Sequence, residues 1–179
     1  MACAGQVGRE AARMAYSENA SQLLPLHILC RYHARDEASV RAMAQAHPAA
    51  ISLCDNRGCL PLHFACACGG SCAVIALLLR LYPESAGQAD EQGFVGLHYL
   101  AISFGFRANM HSLDEAVSRD EDLECLRILI QANRDAATRV SLSGLIPLDC
   151  LAKNPRATEQ AIRLLLDACL LDPLNLAAD

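Results

Sequence analysis

Tryptophan is absent from this 179-residue chain, which also holds only four phenylalanines and four tyrosines. Its hydrophobic content of 53% therefore comes mainly from Ala, Leu and Cys, side chains that suit closely packed helices better than a β-sandwich. Positive charge is scarce too, with 15 Lys and Arg against 20 Asp and Glu and a formal net charge of -5. A phosphate backbone is bound by neutralising it with cations, so nucleic acid is not an expected partner. No apolar run reaches the ~18 to 20 residues that a membrane span needs; the stretch from Ala73 to Leu79 is cut by Arg80. In the first 21 residues, Arg9, Glu10, Arg13 and Glu18 interrupt the apolar stretch that a secretory leader requires. An intracellular compartment, cytoplasmic or nuclear, is expected, in which the ten cysteines stay reduced. There is no Gly-x-Ser-x-Gly, no phosphate loop with Lys and no His-Glu-x-x-His, so a non-catalytic protein without a cofactor is expected.

What the sequence does hold is a repeat. Leu24-Pro25-Leu26-His27-Ile28-Leu29-Cys30 returns as Leu60-Pro61-Leu62-His63-Phe64-Ala65-Cys66, as Val95-Gly96-Leu97-His98-Tyr99-Leu100-Ala101, and more weakly as Ile146-Pro147-Leu148-Asp149-Cys150-Leu151-Ala152. The spacings are 36, 35 and 51 residues, the last implying an insertion at 105–120. Each segment is followed by an apolar stripe at helical spacing: Val40, Met43 and Ala44; Val74, Ile75, Leu77 and Leu78; Leu123, Leu126, Ile128 and Leu129; Ile162, Leu164, Leu165 and Leu166. Two short helices per unit is the simplest reading. Pro25, Pro61 and Pro147 mark helix starts, because Pro at the first helical position has a suitable φ and lacks only an N–H with no intrahelical partner. The second helices stop at His47-Pro48, Tyr82-Pro83 and Ala132-Asn133. Polar turns follow, with Gly58, Gly93 and Gly144 placed where a positive φ is needed.

These segments resemble the ankyrin repeat, whose pattern is an Asp-x-x-Gly tip, then Thr-Pro-Leu-His-x-Ala-Ala on helix one, then a Val/Leu-rich helix two. Asp55 to Leu79 matches best. The resemblance implies an all-α solenoid of about four helix-turn-helix repeats at 23–58, 59–93, 94–144 and 145–169, with a cap segment at 1–22 and a tail at 170–179. Leu24, Leu60, Val95 and Ile146 stand where the family has Thr, Gly96 stands for Pro and Asp149 for His. Apolar contacts are expected in place of the hydrogen bonds that Thr makes between repeats.

Residues 10–21 are expected to form a helix over the first unit, and the apolar tail Leu170 to Leu176 to fold against the last. In the insertion, Ser112 and Ser118 each open a capping-box pattern, so helix two of the third unit has two possible starts. Phe104, Phe106 and His111 then fall in a loop, its two Phe residues either covering the array or projecting toward a partner. The acidic run Asp120-Glu121-Asp122-Glu124 reads as a solvated helix start.

Such arrays bind through hairpin tips and the inner faces of the first helices. The matching positions are Asn56, Arg57, Cys59, Glu91, Gln92 and Phe94 on the tips, with Leu142, Ser143 and Leu145 on the third, and Arg31, Tyr32, Ala67, Cys68, Ile102, Ser103, Lys153 and Asn154 on the helices. Tyr32, Arg57 and Phe94 are the expected centre, since aromatic and Arg residues are enriched among interface hot spots; alternatively Phe94 packs along its hairpin. The implied function is a protein–protein interaction module, either a free adaptor or a subunit of a larger assembly. The alternative is a thiol-based redox or zinc-binding protein built on the Cys-rich second unit. A zinc site would draw on Cys59, His63, Cys66 and Cys72, although no Cys-x-x-Cys pair occurs and the repeat pattern already accounts for His63 and Cys66. Redox chemistry would fall to Cys68.

Overall fold

A computed structural model of the chain describes residues 23–105 and 115–170, with the backbone alone at 115–119. Residues 1–22, Ser112, the tail beyond Leu170, and Phe106 and His111 lie outside the described residues, and with them the proposed N-terminal cap helix.

The described residues are all helical, with no strand. The helices are α1 (Pro25–Tyr32), α2 (Glu37–Ala46), α3 (Pro61–Ala67), α4 (Cys72–Leu81), α5 (Gly96–Ser103), α6 (Glu115–Ala132), α7 (Pro147–Ala152) and α8 (Glu159–Leu170). Each odd-numbered helix packs on the helix that follows it. Across the pairs, α1, α3, α5 and α7 touch in succession, and so do α2, α4, α6 and α8. No helix among the described residues is long and apolar enough to cross a membrane.

Pro25, Pro61 and Pro147 occupy the first position of α1, α3 and α7. Two residues on, the histidines close each start. His27, His63 and His98 accept the N–H of Leu24, Leu60 and Val95 on Nδ1 at 3.1, 3.0 and 3.2 Å. In the fourth pair, Asp149 accepts the Ile146 N–H at 3.0 Å. The residues before the helices, Leu24, Leu60 and Val95, offer no side-chain cap and are buried instead. Apolar burial thus stands where a hydroxyl would cap, and the histidine supplies the missing acceptor.

His27 and His98 also reach the next unit, and His63 reaches the connection that leads to it. Nε2 lies 3.1 Å from the Cys59 carbonyl for His27, 3.0 Å from that of Gln88 for His63, and 3.1 Å from that of Leu145 for His98. A backbone N–H only donates and a carbonyl only accepts, so the proton must sit on Nε2 in all three.

The second helices end at their anticipated stops, and 3-10 turns begin at Pro48, Pro83 and Arg134. Val40, Ala44, Val74, Ile75, Leu77, Leu78, Leu123, Leu126 and Leu129 are buried, as their spacing predicts. In α8 the expectation needs correction. Leu166 is exposed, and the buried face runs through Ala161, Leu165 and Ala168, an i, i+4, i+7 line. Leu148 is only half-buried, unlike Leu26, Leu62 and Leu97 of the earlier units.

The insertion is partly helix, since α6 starts at Glu115; Ser118 therefore lies inside α6 and does not cap it. Phe104 leaves α5 fully buried. The acidic run corrects the expectation of a solvated helix start: it lies inside α6, and Asp122 is buried there and accepts the Gly105 N–H at 2.8 Å. That bond fixes the point where the chain departs from α5.

Candidate interaction surface

The hairpin tips share one construction. Asp55 Oδ1 accepts the N–H groups of Arg57 and Cys59 at 2.9 and 2.8 Å, and Asp90 Oδ1 does the same for Gln92 and Phe94 at the same distances. At the third tip the Ser141 hydroxyl accepts the Leu145 N–H at 3.1 Å. Gly58, Gly93 and Gly144 take φ of 77°, 79° and 76°, the left-handed region that costs a β-carbon-bearing residue most. Adjacent tips are stitched by backbone bonds, Glu91 N–H to Arg57 carbonyl at 3.0 Å and Leu142 N–H to Gln92 carbonyl at 2.8 Å. Glu91 and Gln92 therefore fix the tips through their backbones while their side chains remain exposed. Leu142 projects from the third tip with 77% of its surface exposed.

Between the first two units lies a recess of about 430 Å³, open to solvent. Its rim carries Arg31, Asn56, Arg57 and Cys68, and its floor Phe64, His63 and Tyr99. The floor is uncharged. Burial lowers the His63 pKa, opposed by its bond to the Gln88 carbonyl, and burial raises that of Tyr99, whose hydroxyl donates to Asp90 at 2.5 Å. Arg57 is balanced in part by the buried Asp55, its Nε 3.6 Å from Oδ2, yet its side chain stays 66% exposed. Arg31 lies over the Tyr32 ring at 5.4 Å. Tyr32 itself, 67% exposed, stands beside this recess and is not among its lining residues.

A second, mainly apolar recess of about 320 Å³ lies between the third and fourth units, lined by Phe94, Ile102, Leu145, Cys150, Lys153 and Asn154 with Pro155. Phe94 is half-buried, stacked on His98 at 5.0 Å and edge-on to Tyr99 at 5.8 Å. It thus packs along its hairpin and also walls the recess. Tyr32, Arg57 and Phe94 are therefore not gathered in one hollow: Arg57 belongs to the first, Phe94 to the second.

Asn154, placed by sequence among the binding positions, has a structural task. Its side-chain amide is buried and directed at the carbonyls of Ala101, Ile102 and Phe104 at 3.1, 3.1 and 2.9 Å, which ends α5. Arg156 adds a bond to the Gly105 carbonyl at 3.0 Å. Sequence reasoning missed Asp122, although a signal existed: Asp122, Leu126 and Leu129 share the spacing of a single helix face.

The candidate zinc ligands are not brought together. Both His63 nitrogens are engaged by backbone groups. The Cys59 thiol, its pKa pushed up by burial to about 11, lies 3.6 Å from the Tyr99 hydroxyl and 3.7 Å from Asp90. Cys66 is buried, and Cys72 faces Cys125 on α6 at 2.7 Å. Among the described residues, no three His, Cys, Asp or Glu side chains are grouped to hold a metal ion. Cys68 is exposed, but burial of its sulfur raises its pKa, with Arg31 only partly opposing, so the protonated and less nucleophilic form is favoured.

No protein-family model matches the chain, and no curated protein matches its sequence.

Proposed function

We propose that the chain is an ankyrin-like solenoid acting as a non-catalytic protein–protein interaction module, whose principal contact is the recess rimmed by Arg31 and Arg57. The observation that carries this reading is a convergence. Arg31 on α1, Asn56 and Arg57 on the first tip and Cys68 at the end of α3, all chosen from sequence, line one hollow. Its walls are held by His63 between the Leu60 N–H and the Gln88 carbonyl, by Asp55 within the tip and by the Tyr99 bond to Asp90, so little ordering cost accompanies binding. Two exposed guanidiniums above an uncharged floor of Phe64, His63 and Tyr99 suit a segment of a partner protein bearing a carboxylate beside an aromatic side chain. Arg is well matched to carboxylate in such a setting.

The test is affinity capture from the native source with the wild-type chain beside a variant carrying Arg31→Glu and Arg57→Glu, with helicity checked by circular dichroism. Loss of one stoichiometric partner from the folded variant, with capture by the wild type weakening as salt rises, supports the reading. Retention of every partner by the folded variant refutes this face.

A further inference from the structure

Two cysteines far apart in sequence meet at the junction of the second and third units. Cys72 is the first residue of α4, after the cap Ser71, whose hydroxyl accepts the Val74 N–H at 3.3 Å. Cys125 lies on α6, fully buried, and the sulfurs are 2.7 Å apart. The Cys72 thiol also donates to the Glu121 carbonyl, one turn before Cys125, at 3.1 Å. The surrounding frame is pinned, with Ser71 N–H donating to the Ala34 carbonyl at 3.0 Å and Arg35 paired to Glu121 at 2.7 Å. Cys72 is partly exposed, whereas Cys125 is enclosed. One residue of the pair thus borders solvent and the other lies behind it.

We propose that Cys72 and Cys125 form a redox modification site, at which a hydroperoxide converts the two thiols into a disulfide clamping α4 to α6. A bonded pair needs a sulfur separation of about 2.05 Å, so the side chains have only about 0.7 Å to close. Cys72, as thiolate, attacks the outer peroxide oxygen. The O–O bond breaks, Cys72 becomes a sulfenic acid, and the alkoxide leaves and takes a proton as an alcohol, or as water where the oxidant is hydrogen peroxide. Cys125, giving up its proton, attacks the Cys72 sulfur and displaces hydroxide, which leaves as water. Two electrons pass from the two sulfurs to the peroxide, and a dithiol reductant reverses the change. The site is independent of the proposed partner surface.

The test treats the full chain with one equivalent of hydrogen peroxide, alkylates the remaining thiols and digests with trypsin without reduction. Cys72 falls in the fragment 58–80 and Cys125 in 120–127, and fragmentation separates Cys72 from Cys59, Cys66 and Cys68 of the same peptide. The expected result is a dominant Cys72–Cys125 linkage, a loss of two hydrogens from the intact mass, and a rise in Tm that dithiothreitol reverses. In the Cys72→Ser variant, Cys125 is expected to remain alkylatable. Complete alkylation of both thiols in the treated wild type overturns the proposal. So does accumulation of Cys72 sulfinic acid, or linkage of Cys72 to a different cysteine. Should the variant fail to fold, the wild-type peptide map decides.

Discussion

Lowering the pH from 7 to 5 is expected to weaken the fold through the histidines that join one unit to the next. Protonating His27 puts a hydrogen on Nδ1, where the Leu24 N–H already points, so the bond is lost and two donors face each other. Burial accordingly lowers its pKa to about 4 from 6.5, while the nearby Asp55 charge only partly opposes the shift. The unfolded chain takes up this proton first as the pH falls. Stability from His27 is therefore complete above about pH 6.5 and drains away as the pH drops toward about 4. At 1.36 kcal/mol per unit the whole effect is about 3 kcal/mol, of which about 2 kcal/mol is lost by pH 5. His63 and His98 are shifted in the same direction by burial and add to the loss. Asp36, held below its usual range by Ser39, titrates beneath this window. Urea denaturation at pH 7 and pH 5 measures the effect, with a His27→Gln variant as reference, since Gln supplies an acceptor and a donor but does not titrate. The variant is expected to be less stable at pH 7, yet to lose about 2 kcal/mol less than wild type between the two pH values. An equal loss in both proteins refutes the assignment of a buried, neutral His27.

Two further outcomes separate local strain from packing. Gly93→Ala and Gly144→Ala each incur the left-handed penalty of about 1–2 kcal/mol, but a Cβ at Gly93 would come within 3.1 Å of Leu142 N and Ser141 Cα, whereas at Gly144 it meets nothing within 4 Å. Thermal melts should show the larger Tm loss for Gly93→Ala, and equal losses refute the tip contact. Asn154→Ala removes the donor for three carbonyls at the end of α5 and is expected to cost about 1–3 kcal/mol, read by urea denaturation; a cost under about 0.5 kcal/mol means those carbonyls find other donors.

The helix starts, stops and tips were legible because each rests on a residue with a special backbone property or a short-range partner. Pro25 and Pro61 open helices, Gly58 and Gly93 take positive φ, and His63 reaches back only three residues. The other end of His63 was not legible, because its acceptor is the carbonyl of Gln88, and any residue there offers a carbonyl. Asp122 was misread for a different reason. Its neighbours Asp120 and Glu124 are exposed, so local composition pointed to solvent, while the helical line to Leu126 and Leu129 pointed inward. The partner of Cys72 was hidden by the insertion, which breaks the regular spacing before α6.

The same distinction explains why the fold could be read further than its surface. Many of the contacts that register one unit on the next go from a side chain to a backbone atom, as at His27, His98 and Asn154, or from backbone to backbone, as between Glu91 and Arg57. Neither kind depends on which side chain the neighbouring unit carries. Leu, Val and Ile can therefore stand where a hydroxyl would cap, so long as a histidine or Asp149 follows three residues later. Exposed positions such as Tyr32 and Leu142 are under no such requirement. Under the proposed function, what they contact would be set by a partner's shape and charge, which leave no periodic mark in this chain, so the surface has to be read from the recesses that the fold builds and not from the repeat that builds them.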